Sequence, residues 1–347
     1  MRALALKPLE RNSATLLDVP EPANTGVLVQ SLAVGICGTD REILDGDYGA
    51  PPPGQEHLIL GHESLGEVLD PAGSPFRRGD LVVGIVRHPD PAPCPACAVG
   101  EWDMCRNGEY VEHGIKGLDG FCVERFRASA DFLVRIDPAL RDTGVLLEPA
   151  SVVAKAWDHI ERIGARSRAW SPRRVLITGA GPIGLLAALM AEQRDCELHV
   201  FDRNEGGLKP ELVKALGGEH YSDALPSLRA LEPDVVIECT GAASVIAEVI
   251  GNNAASGIVC LTGLSSGSHC IKHDFTELNR TMVLQNDVVF GTVNANRRHY
   301  ELAAESLARA DQAWLRRMIT RRVALDRWEE ALERRDDDIK VVIDFTL

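Results

Sequence analysis

The chain of 347 residues is too long for one hydrophobic core and, at about 150 residues per domain, predicts two. Its composition, 45% hydrophobic and 25% charged, excludes a disordered, collagen-like or coiled-coil protein. The net charge of -14, from 37 basic against 51 acidic residues, excludes nucleic acid and anionic membrane as partners held by a basic surface.

Up to about residue 150 the sequence is rich in Gly and Pro. Short apolar runs at 26–30, 81–84 and 132–136 lie between turn residues, a texture that predicts antiparallel β-structure with long loops. Beyond it, the runs 174–178, 197–201, 234–237, 257–261 and 288–290 alternate with helical periods and predict βαβ units around a parallel sheet. The run 339–345 predicts a last strand that returns to the first domain, after a solvated turn at Asp336–Asp338. No apolar run approaches the roughly 18 residues that cross a bilayer, and Met1–Pro8 is too short for the apolar region of a signal peptide, so a cytoplasmic protein is expected.

The strand 175–178 runs into Gly179-Ala180-Gly181-Pro182-Ile183-Gly184 and then a helical stretch. This G-x-G-x-x-G has a strand before it, a helix after it and Asp202 about 20 positions on, the context of a dinucleotide-binding turn. The first Gly permits the turn, the second admits the pyrophosphate and the third packs helix on strand, with phosphate at the helix N-terminus. Asp202 is placed to accept the ribose hydroxyls of NAD and to repel the 2′-phosphate of NADP, a repulsion that Arg203 offsets. NAD is the expected cofactor, with NADP the alternative.

Nine cysteines, an odd number without an export signal, argue against a disulfide framework and for metal ligation where they cluster, at Cys94, Cys97 and Cys105. A thiolate at Cys37 and an imidazole and carboxylate at His62 and Glu63 make a credible zinc shell. Cys122, Cys196, Cys239, Cys260 and Cys270 default to packing.

Gly61-His62-Glu63-Ser64-Leu65-Gly66 and Gly35-Ile36-Cys37-Gly38-Thr39-Asp40, with Arg78-Gly79-Asp80, the cysteine cluster and the turn 179–184, resemble the zinc-dependent medium-chain dehydrogenase/reductase family over almost the whole chain. Cys37–Glu42, Glu109–Ile115 leading into Asp119-Gly120-Phe121, Leu147-Glu148-Pro149 and Gly291–Asn294 resemble its glucose 1-dehydrogenase (aldose dehydrogenase) branch. The resemblance implies an α/β protein: a GroES-like β catalytic domain over 1–155, completed by 296–347, and a Rossmann doubly wound parallel-sheet domain over 156–295.

It further implies a catalytic zinc on Cys37, His62 and Glu148, with Glu63 reaching the metal directly or through water. Read by itself, Glu148 before Pro149 leaves open a plain helix-entry carboxylate favoured by the dipole. The implied reaction oxidises an aldose, D-glucose first, at C1 to the aldonolactone with hydride transfer to NAD(P). Thr39 would bond the substrate and pass its proton outward, and Arg87, Glu112, Glu148 and Asn294 would line the sugar site. Thr240, Gly241, Leu264, Thr292 and Asn294 would flank the cofactor, and plain turn chemistry explains Thr240-Gly241 and Leu264 as well. The family's structural lobe carries four cysteines, of which Cys94, Cys97 and Cys105 match three while Pro91 stands at the first. Either Asp90 completes that zinc or the lobe is metal-free or partly occupied. A homo-oligomer, dimer or tetramer, is expected, with a small sugar as the only other partner. The alternatives are a polyol or alcohol dehydrogenase of the same family and, more distantly, a non-catalytic NAD sensor.

Overall fold

The computed structural model of the chain describes residues 1–223, 225, 228–265 and 270–347. It begins with β1 (Arg2–Leu6) and the long strand β2 (Val27–Ile36), in which buried and half-buried side chains alternate until the strand enters the core completely. Helix α1 (Gly38–Leu44) follows directly, and then β3 (Glu63–Asp70), β4 (Leu81–Gly84), β5 (Leu133–Arg135) and the helix α2 (Leu147–Gly164).

The next stretch alternates strands and helices. Its elements are β6 (Arg174–Thr178), α3 (Pro182–Glu192), β7 (Glu197–Phe201), α4 (Leu208–Ala215), β8 (Glu219–Tyr221), β9 (Val235–Glu238), β10 (Ile258–Leu261), α5 (Phe275–Gln285) and β11 (Val288–Gly291). The chain closes with α6 (Arg297–Arg309), β12 (Ile319–Ala324) and β13 (Lys340–Asp344).

Two compact units result, Met1–Ser151 with Asn294–Leu347, and Val152–Val293. The sequence puts these divisions at 155 and 295. The first falls inside α2, so no loop or change in composition marks it.

In the first unit the main sheet has the order β5-β4-β3-β2-β13-β12, antiparallel except for the β12–β13 pair, and the strand Arg125–Ala128 also joins β2. Leu4, Val29, Val34, Leu60, Val68, Phe121, Val341 and Ile343 share its core, so β13 contributes both backbone pairing and apolar area. The turn before β13 is only partly solvated as expected. Asp336 and Asp337 are exposed, whereas Asp338 takes both Nε and Nη2 of Arg321, at 2.8 and 2.6 Å.

The second unit is a six-stranded sheet, order β8-β7-β6-β9-β10-β11, with every neighbouring pair parallel. Its inner strands β6 and β9 are almost wholly buried, as crossover helices on both faces require. Strand β8 escapes sequence reading because Glu-His-Tyr is short, polar and at the sheet edge. Among the described residues no helix is long and apolar enough to cross a membrane.

Candidate active site

Cys37 leaves β2 and becomes the N-cap of α1 in an extended conformation. Its sulfur accepts the Thr39 amide at 3.2 Å, and the Asp40 carboxylate accepts the Cys37 amide at 2.9 Å. One capping box therefore starts the helix and fixes the thiol. Opposite, Gly61 takes φ +88, and a Cβ there would meet Val34 Cγ1 at 2.5 Å, so only glycine makes the turn that brings His62 and Glu63 to the head of β3. Gly35 pairs with Glu63, and a Cβ on it would strike the Glu63 carboxylate at 2.0 Å. The glycine leaves the carboxylate its room.

These turns bring Cys37 Sγ to 3.1 Å from His62 Nε2, and ligand atoms of Cys37, His62 and Glu63 all lie within 4.8 Å of one another. His62 Nδ1 faces Asp40 Oδ1 at 3.3 Å, which turns Nε2 toward the thiol. Burial lowers the proton affinity of His62, yet Cys37 and Asp40 together raise it well above the ordinary histidine range. Such a field attracts a cation, and the S, N and O donors present suit zinc.

Glu63 already holds one cation. Lys340, on β13, donates to both of its oxygens at 2.6 Å, and both side chains are almost fully buried. The sequence reading missed Lys340, although a lysine inside the apolar run Ile339–Phe345 is the signal that marks it. Glu148 stands beside the trio rather than in it. Burial pushes its carboxyl up to about 7, opposed by His62 and Lys340 and reinforced by Glu63 and Asp40. Thr39 is half-buried and shares a hydrogen bond with Tyr48, a residue without a sequence signal, whose hydroxyl burial pushes up to about 12.

Arg87, Glu112 and Asn294 come together from three separate segments. Arg87 Nε and Asn294 Nδ2 both donate to Glu112 Oε1, at 3.0 and 2.8 Å, and the Arg87 guanidinium stacks over Tyr110 at 3.7 Å. Asn294 adopts φ +61 and accepts the Ala295 amide, which aims its side chain. Glu112 and Arg87 are buried, so a ligand there meets desolvated, directional groups.

Cys94, Cys97 and Cys105 converge as a second trio. Backbone amides of Arg106 and Cys97 draw the Cys94 thiol down to about 6, while burial pushes Cys97 up to about 11. Asp90, one of the two alternatives for this lobe, is not in the trio. Its Oδ1 accepts the Ala92 amide and its Oδ2 the Asn107 side chain, both at 2.8 Å, so the loop's own turn engages it. All nine cysteines are free thiols, and of the five assigned to packing Cys270 is exposed.

In the second unit, Gly179 takes φ +91, and a Cβ on Gly184 would lie 1.7 Å from the Gly179 carbonyl oxygen. A Cβ on Gly181 would meet nothing, which leaves its backbone open to a close ligand. Gly181 is also the N-cap of α3, with Pro182 and Ile183 entering the helix and no side chain capping it. The free amides suit a pyrophosphate. Asp202 directly follows the neighbouring strand β7; its Oδ2 accepts the Ala180 amide at 2.8 Å and its Oδ1 the Asn204 amide at 3.0 Å, next to exposed Arg203. Thr292 is buried with a hydroxyl that has no partner among the described residues. Thr240 and Gly241 form the turn after β9, and Leu264 is 74% exposed beyond β10.

Two family profiles cover the chain: an alcohol dehydrogenase GroES-like domain over residues 23–138 and a glucose dehydrogenase C-terminus over residues 141–345. The chain is 39% identical to a glucose 1-dehydrogenase of Methanocella arvoryzae and 40% identical to one of Thermoproteus tenax, with 99% of both chains covered in each comparison. Among solved structures, a Haloferax mediterranei glucose dehydrogenase in complex with NADP, Zn and gluconolactone superposes with a TM-score of 0.91 at 29% identity, covering 100% of both chains. The chain therefore belongs to the zinc-dependent medium-chain dehydrogenase/reductase family, in its glucose 1-dehydrogenase branch.

Proposed function

We propose that the chain oxidises an aldose, D-glucose first, at C1 to the aldonolactone with hydride transfer to NAD or NADP. The observation that carries this is the presence of a thiol–imidazole–carboxylate cluster in one unit and an uncapped Gly-rich helix start in the other. Zinc would be held by Cys37 and His62 with Glu148, and Glu63 in reserve; it supplies the Lewis acidity that makes the C1 hydroxyl acidic near neutral pH, while the nicotinamide supplies the hydride acceptor.

The chain's own residues then have separate tasks. Asp40 fixes the His62 ring, and Lys340 balances Glu63 so that the cluster keeps a net charge a dication can neutralise. The Thr39 hydroxyl bonds the C1 hydroxyl and takes its proton while releasing its own outward to solvent; Tyr48, its hydrogen-bond partner, stays a neutral phenol and holds that hydroxyl in place. Glu112, set by Arg87 and Asn294, accepts sugar hydroxyls, and an epimer that leaves it unpaired is rejected. Asp202 receives the adenosine ribose and favours NAD, with Arg203 at hand for the 2′-phosphate of NADP. Cys94, Cys97 and Cys105 would hold a structural zinc, which binds thiols with loss of their protons.

We place the protein in the cytoplasm as a homo-oligomer, dimer or tetramer. The support is β11, an unpaired sheet edge, together with Phe275, Val283 and Leu284 exposed on α5. Light scattering on the purified enzyme tests the assembly.

The deciding experiment assays glucose, galactose, xylose, arabinose and sorbitol against NAD and NADP on protein whose zinc is counted. Aldose oxidation with two zinc ions per chain is expected. Turnover of sorbitol with no turnover of any aldose would instead assign a polyol dehydrogenase of the same family. One zinc per chain would leave the cysteine lobe without metal.

A further inference from the structure

Glu238 has no part in the chemistry above, and it is fully buried. It ends β9, and the winding of the sheet reverses between β6 and β9. Ligands of such sheets bind in the crevice at the carboxyl ends of the strands at that reversal. Glu238 spans the point. Its Oε1 accepts the hydroxyl of Thr178, the last residue of β6, at 3.2 Å. The same oxygen accepts the Thr240 amide at 2.7 Å and the Thr240 hydroxyl, and the Gly241 amide lies 3.2 Å from both carboxylate oxygens. The Glu238 carbonyl accepts the amides of Thr262 and Gly263, at 2.8 and 3.0 Å, which ties in the loop after β10. A Cβ on Gly263 would sit 2.2 Å from the Gly241 nitrogen and 2.9 Å from Glu238 Oε2. Three strand ends therefore converge on one glutamate, two through its carboxylate and the third through its main-chain carbonyl.

Every donor to that carboxylate is neutral, and among the described residues no Lys, Arg or His pairs with it. A buried charge is expensive, and hydrogen bonding alone does not call for one. Solvated by dipoles and matched by no cation, it sends negative potential into the crevice. On the reading of residues 179–184 as a dinucleotide site, we propose that Glu238 is a positioning residue for the nicotinamide cofactor. Its carboxylate ties the end of β6 to the turn after β9, its main-chain carbonyl ties in the loop after β10, and its charge favours the oxidised cofactor, whose ring is cationic, over the reduced cofactor, whose ring is neutral. An enzyme that oxidises its substrate gains in both directions: it captures the oxidised form and releases the reduced one.

The test measures dissociation constants of NAD(P)H by its fluorescence and of NAD(P)+ by competition, on full-length enzyme. E238Q removes the charge and is expected to weaken the oxidised form about tenfold relative to the reduced form. E238D keeps the charge and is expected to retain the wild-type ratio while weakening both forms together. T178V keeps the charge and removes one neutral donor, so its ratio is expected to hold or to favour the oxidised form further; this arm stands even if E238Q fails to fold. A wild-type ratio in E238Q, a shift in E238D as large as in E238Q, or a drift of T178V toward the reduced form overturns the role of the charge. Wild-type enzyme that binds neither dinucleotide overturns the site reading itself, and this inference with it.

Discussion

Glu63 and Glu238 are both buried carboxylates at the ends of strands, and the two units treat them in opposite ways. Glu63 is met by an ammonium, Lys340, held against both of its oxygens. Glu238 is met by hydroxyls and amides only. A cationic partner cancels the field and makes the pair a hazard once broken, because the survivor is a bare charge in low dielectric. Dipolar partners spread the cost over several weak bonds and leave the field intact for a ligand.

The strongest blow to this contrast is Lys340→Met. Urea unfolding should show a loss of about 3–5 kcal/mol, the cost of stranding a buried charge. The double variant Glu63→Gln/Lys340→Met should recover most of it; a double variant as unstable as the single one would mean that the pair is not the cause.

Acid widens the difference between the units. Burial holds His113 down to about 4 and His88 to about 3, both in the unit that contains Glu63. A folded-state pKa below the unfolded value of about 6.5 means that the unfolded chain binds the proton first. Stability is therefore complete above about pH 6.5 and falls as the pH drops toward 4, by about 3 kcal/mol for His113. Amide exchange in β2 and β3 should accelerate at pH 5 ahead of exchange in β6 and β9, and His113→Gln should flatten the slope. Equal acceleration in both units would remove the distinction.

A smaller effect isolates the metal cluster. Asp40→Asn should weaken zinc binding about 10- to 100-fold in a chelator competition while dinucleotide affinity stays unchanged. On the nucleotide side, Asp202→Asn should move the ratio of kcat/KM for NAD over NADP about tenfold toward NADP, as removal of one nearby like charge predicts. A ratio that does not move would mean that Asp202 serves only to cap the Ala180 and Asn204 amides.

Features encoded locally were legible in the sequence. The glycines 179, 181 and 184 announce themselves because turn, helix start and packing all act within six residues, and β6, β7 and β10 stand out as apolar runs. Cys37 and His62 carry motifs for the same reason. Tyr48 and Glu238 were not legible, and Lys340 was legible only as a lysine out of place in an apolar run, because their roles come from partners that only folding supplies. Nothing in Ile339–Phe345 says that its lysine meets position 63. At Asp90 the sequence leaves two alternatives open, and folding adds that its carboxylate is bonded by Ala92 and Asn107, which the spacing of cysteines does not reveal.

The Glu63–Lys340 pair also sets an order of events during synthesis. Its members are 277 residues apart, and the whole span Val152–Val293, a compact unit in itself, lies between them. On the ribosome the nucleotide-binding half is complete while the metal-binding half still lacks strands β12 and β13 and the only ammonium that bonds Glu63 among the described residues. Contacts this distant in sequence form late and slowly. The nascent catalytic half must keep a lone carboxylate in water until its last strand arrives, so the surroundings of Glu63 close only when the end of the chain has been made.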